Sequence, residues 1–385
     1  MAEFDKNHYV PNCILKNFAI KLNNGNFGFC YLNLLEGEIE WRTTNSAFYE
    51  IKLYDQKNEE NVKELEHTFD RSIESVMQPL LKKLITCMTE TIVLSRNEIE
   101  LIKKYALIQI YRNVRNGDNY SDNRINKEIT LSKYNIKDGE NLNDFWKREM
   151  MTILKSSWDE ILKTDMVGIN SIANEINGSF IMLFKTDNEL CINDLGYVTE
   201  RIPIKLSKEV QDEYIKLSKA YGEEVFKVSD FDVRAQNEIE EDRVYIDNYI
   251  LIPISSNFAI ALVNVVWKLK LLNLLNLNNL PSNLLNNHLS IPETDYVNKD
   301  KIKKDEDIIK YKSPDDTYKY KIHIMTENET EQTNFLLINE AYQYIAIKTF
   351  NCFINTFKDY QDLKNHNVEN IRHDLKALLK EYNLH

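Results

Sequence analysis

The sequence predicts an α+β fold: long helices packed on a mixed or antiparallel sheet assembled from separated strands, with a helical C-terminus. Three observations predict it. Apolar residues recur three or four apart over several long stretches, as in helices with one buried face. Short apolar runs bounded by turn residues are scattered between those stretches, as strands would be. No strand–helix–strand succession with a glycine-rich turn occurs, and 9 Gly and 7 Pro leave few enforced turns for an all-β fold.

In chain order, residues 8–20 are expected to form a short helix entered at Pro11, a residue suited to a first turn. "NFGFCYLNLLEGEIEWR" (26–42) reads as two strands turning near "EGE", and 47–55 as a strand to Tyr54. From 61 to 90 the period is helical through Val62, Leu65, Phe69, Ile73, Val76, Leu80 and Leu84, with Pro79 as a kink or a division. Ser95 and Glu98 have capping-box spacing and open a helix to about Arg115. A loop follows at 116–123, then one long helix over 142–176. Residues 180–194 read as strand, polar turn and strand, 208–222 as helix, and 249–267 as a strand pair. "KLLNLLNLNNLPSNLLNNHL" (270–289) suits a leucine-striped helix, although Asn is a poor helix former. The charge run 298–316 follows it, then a strand at 317–325 and helices at 331–358 and 361–382. No linker interrupts this order. Residues 1–385 are therefore expected to form a single α+β domain, with 268–317 as an inserted Leu/Asn-rich and charged arm.

Composition narrows the function. A net charge of −12 argues against a generally basic nucleic-acid surface while leaving room for a local basic cleft. The cysteines (Cys13, Cys30, Cys87, Cys191, Cys352) form no CxxC pair and sit among apolar neighbours, as buried thiols do in a reducing compartment. "MAEFDKNHY" has no apolar leader core, and "FAIALVNVVW" is too short to span a bilayer, so a cytoplasmic protein without membrane contact is expected. No phosphate-loop, dinucleotide or HExxH motif is present.

Several polar positions stand out. His8 is either a hydrogen-bonding cap beside Pro11 or a metal ligand and proton carrier. Glu66, Asp70 and Glu74, at i, i+4 and i+8, put three carboxylates on one helix face, as a solvated acidic face or as oxygen ligands for a hard cation such as Mg²⁺ or Mn²⁺. "KTDNEL" (185–190) places Asp187 and Asn188 on a turn between strands, where either backbone bonding or function explains them. Arg112, on the apolar helix "YALIQIYRNVR", either snorkels or pairs with a buried acid or a bound phosphate. Asn339 in "LLINEAY" is a similar polar residue in an apolar setting.

These positions resemble a pattern found in a bacterial family known only as domain of unknown function 4238. Its N-terminal HYVPxxxLxxF motif is matched by "HYVPNCILKNF" (8–18). Its helix of spaced glutamates resembles "ELEHTFDRSIES" (64–75), and its helix ending in arginine resembles "IQIYRN" (108–113). Its TSDNPV strand motif is similar to "KTDNEL", with Glu189 in place of proline, and its PLSP element to "IPIS" (252–255). The resemblance covers about residues 6–350. It implies an effector of phage defence, and one site uniting His8 and Tyr9 with Arg112, Asp187 and Asn188, with Glu66 or Glu74 close by.

Two functions follow. One is a metal-dependent nuclease or phosphodiesterase acting on RNA or DNA. Asp187 with Glu66 or Glu74 would hold the cation, His8 would move the proton and Arg112 would clamp phosphate. The other is a non-catalytic sensor or interaction module of a defence or toxin system, with the polar residues as a buried network and the 268–317 arm binding a protein partner or a second copy. An open cleft lined by His8, Arg112 and Asp187 favours the first; burial and mutual pairing favour the second.

Overall fold

The computed structural model describes residues 6–21, 25–34, 38–51, 53, 64–112, 141–205, 243–271 and 282–349. The expected helices 208–222 and 361–382, the loop 116–123, Cys352 and half of the Leu/Asn run (272–281) lie outside these residues. The rest is an α+β fold with mixed and antiparallel sheets.

The chain opens on β1 (Lys6–His8), a short helix α1 (Asn12–Leu15) and one 3₁₀ turn. His8 therefore sits on a strand rather than on the expected helix, and Pro11 stands just before α1, where its missing N–H costs nothing. Strands β2 (Ile20–Lys21), β3 (Phe27–Asn33), β4 (Glu38–Thr43) and β5 (Tyr49–Ile51) follow. β1 pairs antiparallel with β5 in a ribbon of its own, His8 opposite Tyr49.

Next comes one helical rod in three parts: α2 (Glu64–Phe69), a π-turn (Asp70–Glu74) and α3 (Ser75–Ile85), with Pro79 inside α3. β6 (Thr91–Ser95) leads into α4 (Arg96–Arg112). The expected capping box is formed: the Glu98 N–H donates to Ser95 Oγ at 3.3 Å, and the Ser95 N–H donates to Glu98 Oε2 at 2.8 Å.

The single helix expected over 142–176 is three: α5 (Leu142–Lys155), α6 (Trp158–Ile161) and α7 (Val167–Gly178). The first ends at its C-cap Ser156, and Ser157 caps the second through a capping box with Glu160. The Lys104 ammonium donates to the carbonyls of Leu154 and Ser156, which α5 leaves unpaired at its end.

The remaining elements are β7 (Phe180–Lys185), β8 (Ile192–Asn193), β9 (Val198–Lys205), β10 (Arg243–Ser255), β11 (Phe258–Val263), α8 (Val265–Leu271), α9 (Leu285–His288), β12 (Glu293–Asp295), α10 (Asp305–Lys310), β13 (Thr317–Ile324), α11 (Glu327–Glu340) and β14 (Tyr344–Ile347). The larger sheet runs β12-β13-β7-β11-β10-β9, with β6 on β13; the pair β13–β7 is parallel and makes it mixed. The smaller sheet runs β2-β3-β14-β8, with β4 on β3. Every residue of β11 is buried, as its unbroken apolar run requires of a strand covered on both faces.

The helix expected over 331–358 stops at Glu340 and gives way to β14. Its end is fixed by Asp194, a fully buried carboxylate that accepts the N–H groups of Tyr342, Gln343 and Tyr344 at 2.7, 2.5 and 2.8 Å. The described part of the 268–317 segment is bound to the core. β12 pairs with β13, Leu284 and Leu285 are buried, Asp316 accepts Arg96 and the N–H groups of Val297 and Ser313, and Lys312 pairs with Asp159 of α6.

Candidate functional site

Three stretches of the chain meet at the β1–β5 ribbon: the N-terminal β1–α1, the rod and the end of α4. The rod α2–π–α3 brings Glu66 and Glu74, α4 ends on Arg112, β1 supplies Asn7 and His8, and α1 supplies Cys13. The π-turn sets the geometry. In an unbroken α-helix eight residues turn about 80° beyond two full turns, because each adds about 100°. The extra residue of a π-turn removes roughly that surplus, so Glu66 and Glu74 come level on one face. Both are half-buried there, whereas Asp70 faces solvent and accepts Ser75 Oγ at 3.2 Å.

Arg112 is the floor of the cluster. Its Nη1 donates to Glu74 Oε1 at 2.7 Å and its guanidinium lies 4.1 Å from the Phe69 ring centre, with 1% of the side chain exposed against 15% for Glu74. Buried ion pairs of this kind need such a partner to offset desolvation. Asn7 Nδ2 donates to Glu66 Oε2 at 3.4 Å. Burial pushes the Glu66 carboxyl above its ordinary range, and the Glu74 charge adds to that, while Arg112 and Asn7 oppose it. His8 Nε2 lies 3.3 Å from the Thr44 carbonyl, so it is the donor and Nδ1 keeps its lone pair. Burial first, then the Arg112 charge, brings His8 down to about 4, and its imidazole is neutral at neutral pH. Burial and the Glu74 charge push the Cys13 thiol up to about 12, which leaves it protonated and unreactive.

Tyr9, just past the end of β1, is 2% exposed and packs edge-on against Phe48 with ring centres 6.2 Å apart. Its N–H donates to the Phe48 carbonyl and its own carbonyl accepts Gln109 Nε2 at 2.9 Å. Gln109 also donates to the Leu195 carbonyl, and Gly196 makes room for it: its φ is +74°, and a Cβ there would lie 2.7 Å from Gln109 Nε2. Asp187 and Asn188 are exposed on the β7–β8 turn, where the Asn188 N–H donates to Thr186 Oγ1 at 3.0 Å. Asp187 makes no hydrogen bond or ion pair to the His8 cluster. Among the described residues no group of three His, Cys, Asp or Glu is placed to hold a metal ion, so the expected Glu66–Glu74–Asp187 donor set is not assembled. Asn339 lies half-buried on α11.

The stretches singled out in the sequence are nonetheless joined. Asn17 donates to the Ile254 carbonyl and accepts the Ser256 N–H. The Ser256 carbonyl accepts Leu190 N–H, Asn334 bridges Glu189 and Cys191, and Asn193 donates to the Leu337 carbonyl. Sequence reasoning missed Asn7, Gln109, Asn193, Asn334 and Asp194. The one available signal was a lone polar residue in an apolar run, as at Gln109 in "ALIQIY".

No helix among the described residues is long and apolar enough to cross a membrane. No curated protein and no solved structure matches this chain. One family model does, over residues 6–349, and its description reads "Protein of unknown function (DUF4238)". The chain belongs to that family.

Proposed function

We propose that this chain is a phosphodiester hydrolase of the nuclease class, working at the Glu66–His8 pair, as an effector of a defence or toxin system. The observation that carries this reading is the convergence of Glu66, Glu74, His8 and Arg112 on one half-buried cluster. Within it two titratable groups are shifted against their usual order: an imidazole lowered until it is neutral, with Nδ1 as an acceptor, and a carboxyl raised above its ordinary range. His8 accepts the proton of the attacking hydroxyl, from water or from a ribose 2′-OH. Glu66 donates one to the leaving oxygen. Arg112 acts as a positioning residue that holds Glu74 and sets the local potential. No step is routed through Mg²⁺ or Mn²⁺, because the donor set for one is not together among the described residues.

The test is cleavage of RNA, single-stranded DNA and an aryl phosphodiester in the presence of EDTA. Glu66→Gln and His8→Gln are each expected to lower kcat by about 10²- to 10⁴-fold with unfolding temperatures kept. Undiminished activity in either variant, or no cleavage of any substrate by the parent chain, overturns the proposal.

A second reading, the non-catalytic module, is favoured by the sealing of Arg112 beneath Glu74 and Phe69. It predicts no turnover, with RNA, DNA or a protein partner bound rather than cleaved.

A further inference from the structure

Residues 282–290 cross the ends of β9, β13 and α11 as a strap held at both ends by a buried carboxylate. At one end Glu200 of β9, 6% exposed, accepts Ser282 Oγ at 2.6 Å, the Asn283 N–H at 2.7 Å and Asn248 Nδ2 at 2.8 Å. At the other end Glu329 of α11, 3% exposed, accepts Asn287 Nδ2 at 3.1 Å and His288 Nε2 at 3.0 Å, while its Oε2 also takes the Thr326 N–H. A third fastening joins Ser290 Oγ to His323 Nε2 of β13 at 2.8 Å. The two imidazole rings are 5.3 Å apart, and Phe184 of β7 lies 5.8 Å from one and 5.7 Å from the other. Between the fastenings Leu284 and Leu285 are fully buried.

We propose that this strap is an acid-releasable clasp: a proton taken up at His323 places a cation against the adjoining His288 and Phe184 rings and frees residues 282–290 from the core. Among the described residues the carboxylate at this pair is Glu329, and it is bound to His288, while Lys321 on β13 adds positive charge beside His323 and resists a cation there. At the Glu200 end the titratable neighbour is Tyr249 of β10, whose hydroxyl stays protonated. Burial, then His288 and Lys321, bring His323 down to about 4 while the strap is shut. An opened strap restores the ordinary value, so acid favours the open form. Two to three pH units between the closed and open values give roughly a 50- to 100-fold rise in the opening equilibrium at pH 4.5.

The experiment is hydrogen exchange on the full chain at pH 7.5 and 4.5, corrected for intrinsic rates. It follows the Leu289 amide, which closes onto the Leu285 carbonyl, with β11 amides as the internal reference. The expected result is a 50- to 100-fold gain in opening at Leu289, none at β11, and loss of the gain in His323→Gln, which keeps a partner for Ser290 and cannot charge. Equal opening at both pH values, or the same gain in His323→Gln, overturns it. Should that variant not fold, an NMR titration of His323 in the parent chain decides: a midpoint near 6.5 rules the clasp out.

Discussion

Arg112 shows how one buried charge orders its surroundings. It adds to burial in lowering His8, opposes the rise of Glu66 and holds Glu74 in an ion pair. Removing one partner leaves the other charge buried and uncompensated. Arg112→Met and Glu74→Met are each expected to cost about 3–5 kcal/mol, and the double variant much less than their sum. Urea denaturation of the three proteins checks this; additive losses would mean that the pair does not act as a unit. The sequence pointed to Arg112 because a cation in an apolar helix needs an explanation, and it offered a buried acid as one. It did not show that Asp187 belongs to a different turn, because composition makes every Thr-Asp-Asn turn look alike whether it serves chemistry or only its own backbone.

At the scale of elements, the π-turn is the device on which the cluster depends. Periodicity revealed the rod, although it ends at Ile85 rather than near 90 and exposes Val76 in favour of Met77, but not the inserted residue, since Leu65, Phe69, Ile73 and Met77 keep a spacing of four that fits a slightly drifting α-helix equally well. Deleting Ser72 is expected to restore a regular helix, turn Glu74 about 100° away from Arg112 and leave helical content by circular dichroism unchanged. Stability is expected to fall by about 3–5 kcal/mol through the orphaned arginine; unchanged stability would show that the turn has no such role. Other boundaries were lost for a related reason. The strand at 344 depends on Asp194, a partner that approaches from far along the chain. The break at Ser157 carries a local capping box with Glu160, hidden by the apolar period that runs across it. The Ser95–Glu98 cap and the run of β11 were legible without any distant partner.

Across the whole molecule, side chains that bond to backbone join the stretches that the sequence singled out. Asn17, Gln109, Asn193 and Asn334 each tie two segments distant in the chain, so those stretches depend on one another for position. This network places the ribbon of His8 on a rigid frame, which is what a general acid–base pair needs. The most direct test is the pH–rate profile of phosphodiester cleavage in EDTA. With His8 as base and Glu66 as acid, the rate is expected to rise across about pH 4 and to fall again as the raised Glu66 carboxyl ionises, with the alkaline limb lost in Glu66→Gln. A rate that climbs steadily from pH 7 to 9, or that appears only when divalent metal is added, would contradict the acid–base pair.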